Sequence, residues 1–277
     1  MPVDAESRPS DLSGAVFRQL CRTGEWTDTS VGVATRYVQA NLAVLPREFA
    51  DEFAEFCKLN PQPCPLLERL PAGQFLTAKT ADSADLRTDL PAYCVYRNGA
   101  LVAELYDLLD EWNESLTAFL LGCSFSFERK LATAGIPVRH VELDANVPMY
   151  TTSIRCQSAG RFTGPMVVSM RPIPMDRVAD AVRITGNLPQ VHGAPVHSGA
   201  PEAIGIRDLA SPDFGDPVPI GEGEVPVFWA CGVTPQAVAL AAGIPLMITH
   251  APGHMFIGDV LEADLQRVFP AAQPESS

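Results

Sequence analysis

The chain has 277 residues with 20 Lys+Arg and 33 Asp+Glu, and its formal net charge of −13 argues against sequence-independent binding of nucleic acid. Hydrophobic residues make up 47% of the chain, too many for disorder, and no apolar run approaches the ~20 residues that span a bilayer. These numbers predict a globular protein with a substantial core, whose partners include neither nucleic acid nor a membrane.

The first half of the chain alternates helical and extended patterns. Phe49, Phe53 and Phe56 recur at helical spacing opposite acidic residues, which predicts an amphipathic helix. Asn98-Gly99 between two β-prone runs predicts a hairpin. In chain order the predicted elements are a helix from about residue 13 to Gly24, a short helix or extended stretch over 35–46, the amphipathic helix over 46–61, a loop-like segment over 66–92, and the hairpin.

The second half alternates strand and helix patterns more regularly. Strands are predicted over 116–122, 136–143, 164–174, 226–232 and 244–250, and helices over 123–135, 175–187 and 234–243. This alternation predicts an α/β fold with a parallel or mixed sheet. The middle of the chain, about 140–220, is rich in Gly, Pro and short strands and is interpreted as an inserted α+β subdomain. The sequence contains no visible internal repeat.

The seven cysteines are odd in number, include no CxxC pair and match no zinc-binding spacing. The N-terminal stretch is acidic and polar, unlike a secretory signal. We therefore expect a cytoplasmic protein with reduced thiols, most of them packed as small buried hydrophobes.

Two strand-to-helix turns share one design, in which small and hydroxyl residues surround a cysteine. Helix N-termini at such turns offer free N–H groups and a positive dipole end, which suit a carboxylate or phosphate. Ser124 or Ser126 is predicted to cap the first helix, and Thr234 the second. Ordinary βα turns would look the same. The residues proposed to bind substrate here are Cys123, Ser124 and Ser126 in the first turn and Cys231, Gly232 and Thr234 in the second.

Four histidines lie in loops rich in Gly and Pro, where a histidine is often catalytic. His192 and His197 bound one motif, and His250 and His254 bound another. All four are candidate catalytic residues. We expect no metal and no cofactor, although a metal held by the four together is an open alternative. His140 falls in a predicted strand and is interpreted as structural.

Arginines and an asparagine form a third group of candidates. Guanidinium groups bind carboxylates bidentately, so Arg155, Arg161 and Arg171, in a stretch poor in charge, indicate carboxylate recognition. An exposed solubilising role is the simpler interpretation for Arg155, and Arg171 ends an apolar strand. Asn146, in the run NVPMY, is included among the substrate-binding candidates with Arg155 and Arg171.

Nine sequence runs in order resemble the bacterial hydro-lyases of the D-glutamate cyclase family. They cover the chain from about residue 13 to 260. The runs are RTGEW at 22–26, YVQANLAVLP at 37–46, NPQPCPL at 60–66, GCSFSFE at 122–128, NVPMY at 146–150, GPMVVSMRP at 164–172, HGAPVH at 192–197, PVFWACGVTPQ at 226–236 and THAPGHMF at 249–256.

The resemblance implies an α/β fold with a three-layer α/β/α main domain and a smaller inserted α+β subdomain. We place the main domain at 13–125 and 205–265, the insertion at 126–204, and flexible termini at 1–12 and 266–277. The vertebrate member of the family interconverts D-glutamate and 5-oxo-D-proline with loss of water, so the resemblance implies a small-molecule carboxylate substrate.

Such a cyclisation needs the amine deprotonated and the reacting carboxylate held. We expect His254 or His197 to act as the base, Arg171 to clamp a carboxylate, and the two turns to hold anions. Cys123 and Cys231 are alternative nucleophiles. Other interpretations are a hydratase or dehydratase of another small carboxylic acid, a non-catalytic carboxylate-binding module, and a metal-dependent enzyme of the amidohydrolase type.

The distribution of charge adds two expectations. Much of the acidic charge lies in the first 115 residues, whereas the three arginines, the five histidines and both turns fall between residues 122 and 254. We therefore expect a locally electropositive pocket within an acidic protein. The low content of charged residues, 19%, hints at a homo-oligomer with some buried subunit surface.

Overall fold

The computed structural model describes residues 9–270. The predicted flexible termini lie mostly outside this range; within it, Pro9–Asp11 forms a short 3-10 turn. The helices are α1 (Gly14–Arg22), α2 (Arg47–Leu59), α3 (Phe125–Thr133), α4 (Arg139–Glu142), α5 (Val178–Gly186), α6 (Val233–Ala241) and α7 (Leu265–Val268). The strands are β1 (Tyr37–Pro46), β2 (Leu66–Arg69), β3 (Tyr93–Arg97), β4 (Ala100–Leu105), β5 (Leu116–Gly122), β6 (Met149–Arg155), β7 (Pro165–Pro174), β8 (His197–Ser198), β9 (Glu224–Ala230), β10 (Leu246–His250) and β11 (Phe256–Leu261).

The strands form two sheets. The first has seven strands in the order β2-β5-β1-β10-β3-β4, with β11 also paired to β1, and the second has the order β6-β7-β9-β8. Helices and sheets together confirm the α/β class. The expected parallel or mixed sheet is wrong, because every pairing of these strands is antiparallel. Alternating sequence patterns identify helices and strands but do not fix strand direction.

Several local predictions are confirmed, and the structure shows the physical cause of each. The Ser13 hydroxyl caps α1 by accepting from the N–H of Val16. Asn98 and Gly99 take φ values of 51° and 82°, as a two-residue hairpin of type I′ requires. The residues that form β1, which the sequence left open between helix and strand, are extended.

The strand predicted over 136–143 is wrong, because this segment contains α4. His140 on α4 is turned inward, where its ring stacks on Phe125 at 6.1 Å and its Nε2 lies 3.1 Å from Glu128 Oε1. This burial of a polar ring, rather than an alternating pattern, determines the conformation. The strands β2, β6, β8 and β11 were not predicted as separate elements, and β2 lies in the segment 66–92 that was predicted to be loop-like.

The two sheets contain one arrangement twice. Each of β1 and β7 has ten residues and ends in a proline, Pro46 or Pro174. β1 pairs with β5 and β7 pairs with β9, and the paired strand continues directly into a helix, α3 or α6. The structure therefore contains an internal repeat that the sequence did not reveal. The division into a main domain and an insertion remains a prediction.

Candidate active site

The two repeated turns meet at one cleft. It encloses about 640 Å³, counting its open mouth. Its wall comes from β1, the two turns, the segment before β6, α6, and the segment that follows β10. The polar groups in this wall belong to Asn41, Tyr96, Cys123, Ser124, Asn146, Cys231, Gln236 and His250.

In the first turn, backbone and hydroxyl groups bind the turn to β1. The N–H of Cys123 donates to the Gln39 carbonyl at 3.1 Å. The Ser126 hydroxyl accepts from the Gln39 N–H at 2.8 Å, so it does not cap α3 as expected. Ser124 occupies the N-cap position without a capping bond; its hydroxyl instead accepts from Arg171 at 3.0 Å.

The second turn reproduces this arrangement on β7. The N–H of Cys231 donates to the Val167 carbonyl at 3.0 Å, and the Thr234 hydroxyl accepts from the Val167 N–H at 2.9 Å. Thr234 therefore binds the strand, and the predicted cap at Thr234 is wrong because α6 begins at Val233, with Gly232 at the N-cap. Glycine is required there, since a Cβ at Gly232 would overlap the Asn41 amide.

The thiols of both turns line the cleft but stay protonated. Burial raises the pKa of the Cys123 thiol well above its usual value, and nearby N–H groups only partly oppose this. Burial raises the pKa of Cys231 in the same way. A protonated thiol is a poor nucleophile, so the positive helix end does not activate either cysteine.

His250 lies at the end of β10 and is only 3% exposed. Its Nδ1 accepts from the Leu42 N–H at 3.2 Å and lies 2.9 Å from Gln236 Nε2. Burial lowers the pKa of His250 to about 4, so the ring is neutral at pH 7. Nδ1 also lies 3.4 Å from the Leu42 carbonyl, but the two N–H donors are closer, so Nδ1 is assigned as the acceptor and Nε2 as the protonated nitrogen. Nε2 has no hydrogen-bond partner within residues 9–270.

His254 presents the opposite tautomer. Its Nδ1 lies 2.8 Å from the Pro252 carbonyl. A carbonyl only accepts, so Nδ1 carries the proton and Nε2 keeps its lone pair. Pro252, Gly253 and Met255 line the cleft, whereas the His254 side chain is not part of its lining.

The other two candidate histidines do not line the cleft. His192 is buried behind the first turn, where its Nδ1 lies 2.8 Å from the Gln62 carbonyl. His197 is on β8, where its Nε2 lies 2.8 Å from the Ala200 carbonyl and its ring stacks on Phe228 at 5.9 Å. The four histidines therefore do not converge. Within residues 9–270, no three His, Cys, Asp or Glu side chains form a group that could hold a metal ion.

The candidate arginines are also outside the cleft. Arg155 is exposed at the end of β6, and Arg161 pairs with Glu52 at 3.6 Å. Arg171 is 0% exposed and binds the chain's own Glu128. The lining contains no Lys, Arg, Asp or Glu among the described residues, so the arginines that were expected to make the pocket electropositive do not line it.

Arg171 belongs to a buried ion cluster behind the first turn. Its Nε donates to Glu128 Oε1 at 3.1 Å, and its Nη1 donates to the Ser169 hydroxyl, also at 3.1 Å. Burial alone would raise the pKa of Glu128, but the charges of His140 and Arg171 outweigh it and lower this pKa to about 2. Because Arg171 also donates to the Ser124 hydroxyl, the cluster holds this cleft-lining side chain in place.

Two amides in the cleft have unused oxygens. Asn41 is 4% exposed, and its Nδ2 donates to the carbonyls of Leu121 and Gly122 at 3.3 and 3.0 Å. Since carbonyls only accept, these bonds fix the amide orientation, and Oδ1 has no partner among the described residues. The same is true of the buried Oδ1 of Asn146, a predicted candidate that does line the cleft.

Asn41 and Gln236 line the cleft but are not among the site residues predicted from the sequence. A polar residue within the otherwise apolar run of β1 was a usable signal for Asn41, because a buried amide must find partners. Gln236 gave no comparable signal, since a polar residue in the first turns of a helix is common.

We expect the free energy of unfolding to fall as the pH drops from 6.5 towards 4. Burial lowers the pKa of both His192 and His250 to about 4, against 6.5 for an unperturbed ring. The folded state thus binds fewer protons than the unfolded chain in this window, at a cost of up to ~1.4 kcal/mol per pH unit for each histidine. Urea titrations of the parent and of His192→Gln measure the slope, which should fall by about half in the variant; an unchanged slope contradicts the assignment.

No helix among residues 9–270 combines the length and the apolar character needed to cross a membrane. The seven cysteines are free and buried, as predicted from their spacing.

Comparison with known proteins identifies the relatives of this chain. A family model for D-glutamate cyclase matches residues 117–259, which include both turns and His250. A "putative hydro-lyase" of Geobacillus kaustophilus is 56% identical over 254 residues, covering 92% of this chain and 97% of its own. A "putative hydro-lyase" of Stutzerimonas stutzeri is 55% identical over 255 residues, covering 92% and 96%.

A solved nitrogen repressor-like protein from Methanococcus jannaschii covers 91% of this chain and 97% of its own, with 10% identity and a TM-score of 0.40, which is too low to bear on function. The family match and the relatives agree with the resemblance that the motifs gave, and with identities above one half over nearly full length the chain belongs to the D-glutamate cyclase family.

Proposed function

We propose that the chain is a hydro-lyase that interconverts D-glutamate and 5-oxo-D-proline in the cleft between the two turns. The observation that carries the proposal is the meeting of two helix N-termini in one cleft with the unpartnered Nε2–H of the buried His250. Membership of the D-glutamate cyclase family and the names of its relatives support the reaction class.

The proposed reaction forms the bond between the amine nitrogen and the γ-carboxyl carbon and breaks one bond from that carbon to oxygen. Of the three protons of the ammonium group, one stays on the lactam nitrogen and two leave with the oxygen as water. His254, which lies between the lining residues Gly253 and Met255, would take an amine proton at Nε2 and return it to the leaving oxygen. The neutral His250 ring would donate a hydrogen bond from Nε2 to the carboxyl oxygen and keep its proton. The free N–H groups of the turns would stabilise the tetrahedral oxyanion.

One observation favours a second candidate, a carboxylate-binding module without catalysis. Among the candidate histidines of the described residues, His250 alone lines the cleft, and the arginines do not line it. A module that binds an anion through helix N-termini needs no further groups.

Incubation with D- and L-glutamate, D- and L-aspartate, the corresponding lactams, and small hydroxy and unsaturated carboxylic acids, followed by mass spectrometry, tests the proposal. We expect conversion between D-glutamate and 5-oxo-D-proline in both directions. Conversion of another hydroxy or unsaturated acid, but not of these, would indicate a hydratase or dehydratase. Binding without any conversion would establish the second candidate.

A further inference from the structure

The two ends of the cleft have the same scaffold but different polar groups. At the first turn the Ser124 hydroxyl is 3% exposed and accepts from Arg171, so its own proton remains for the cleft; it has no acceptor within residues 9–270. At the second turn the corresponding position is Gly232, with the Asn41 amide against it. His250 contacts this second end through Leu42 on β1 and Gln236 on α6.

Polar groups without a hydrogen-bond partner among the described residues face the cleft at both ends. They are the hydroxyl proton of Ser124, the Oδ1 of Asn41 and the Nε2–H of His250, each on a side chain more than nine-tenths buried. The first N–H groups of α3 and α6, each a nine-residue helix, have the sulfurs of Cys123 and Cys231 as acceptors, and a thiol accepts weakly. These groups indicate a polar ligand that bonds with them.

We propose that the cleft binds a dicarboxylate with one carboxylate at each turn, and that the two ends have different tasks. The first turn, with Ser124, holds the carboxylate that does not react. The second turn, with Asn41 and His250, holds the carboxylate that does. This assignment of ends rests on the proposed function, whereas the pairing of two carboxylates with two turns is independent of catalysis.

The charges behind the turns agree with this division. The guanidinium of Arg171 lies behind Ser124 and strengthens that end for a group that stays an anion throughout. At the second end the Oδ1 of the neutral Asn41 amide is a free acceptor, and an attacking amine can donate a hydrogen bond to it. A reacting carboxyl, which must lose its negative oxygen, is better placed beside neutral groups and a proton donor.

Calorimetric titration with glutarate and butyrate tests the two-carboxylate site without relying on turnover. Glutarate carries two carboxylates and butyrate one, so we expect glutarate to bind at least tenfold more tightly. Equal affinities would overturn the proposal. Glutarate binding with no conversion of glutamate would overturn only the proposed reaction.

A matched pair of variants tests the second turn. Val233 is the first residue of α6 and lines the cleft. Val233→Asp places a carboxylate at the helix N-terminus, where it competes with the ligand, and Val233→Asn has the same shape without charge. We expect glutarate to bind Val233→Asp at least tenfold more weakly than Val233→Asn; equal binding by two folded variants would contradict the proposal.

Ser124→Ala tests the division of tasks. It removes a hydroxyl that binds the unreactive carboxylate in both ground state and transition state, so we expect KM to rise about fivefold to tenfold with kcat within twofold of the parent. A fall in kcat at unchanged KM would place Ser124 at the reacting end and overturn the assignment.

Discussion

Replacing His250 by Asn is expected to lower kcat/KM for D-glutamate cyclisation by about 10²–10⁴-fold, the usual worth of a positioned acid or base. An asparagine carbonyl oxygen can replace Nδ1 as the acceptor from the Leu42 N–H. The variant thus keeps the buried bond and loses only the Nε2 proton that faces the cleft. This prediction tests the proposed function directly, because both depend on the Nε2–H of His250.

His250→Gln provides the complementary change. Its amide nitrogen reaches towards the position of Nε2 and can donate there, whereas the acceptor for Leu42 is lost. We therefore expect this variant to retain more activity than His250→Asn but to have the lower melting temperature. Activity equal to the parent in His250→Asn, with its melting temperature unchanged, would show that this ring does not take part.

His197→Asn distinguishes the two histidines that the sequence offered as the base. His197 binds Ala200 and stacks on Phe228, away from the cleft. We expect its rate to stay within about threefold of the parent, while His254→Asn should fall by about 10²-fold because Nε2 is lost. The reverse order of effects would return the role of base to His197.

The sequence predicted the turns well because their chemistry is local. A strand that runs through Cys and Ser or Thr into a helix is visible in seven residues at 122–128 and again in seven at 230–236. Their convergence is not local, since it depends on which strands pair across the two sheets. For this reason four histidines and three arginines were grouped by sequence proximity, although His250 alone among them lines the cleft within the described residues.

The internal repeat was invisible for a different reason. Gln39 and Val167 take equivalent places, yet each contributes only its backbone N–H and carbonyl to the bonds with the turn. Their side chains are free to differ, and Ser126 and Thr234 need only share a hydroxyl. A repeat preserved in backbone bonding therefore leaves almost no trace in the amino-acid sequence.

Arg171 was predicted as a carboxylate clamp from residue type, and the carboxylate it binds in the structure belongs to Glu128. The sequence could not identify this partner, because 43 residues separate the two. Low local charge made the arginine conspicuous, but low charge is also what a buried ion pair requires of its surroundings. Its proposed task is therefore to position Ser124.

Replacing Arg171 by Met is expected to lower the free energy of unfolding by about 3–5 kcal/mol, because it leaves a buried carboxylate without its main partner. The double variant Arg171→Met with Glu128→Gln removes both charges and should recover at least half of that loss. Urea denaturation at pH 7 measures both. A single variant as stable as the parent would show that Glu128 gains little from the pair.

The pH dependence separates lost charge pairing from lost packing. In the parent the pKa of Glu128 is lowered to about 2, so its contribution to stability is present above 4.5 and is lost as the pH falls towards 2. Without Arg171, His140 remains to oppose the effect of burial, so the pKa of Glu128 rises and its ionised form contributes less stability. Arg171→Met should then lose less stability relative to the parent at pH 4 than at pH 7. A difference that does not change with pH would assign the loss to packing against Phe127 and Trp229, whose rings lie 5.1 and 5.5 Å from the guanidinium.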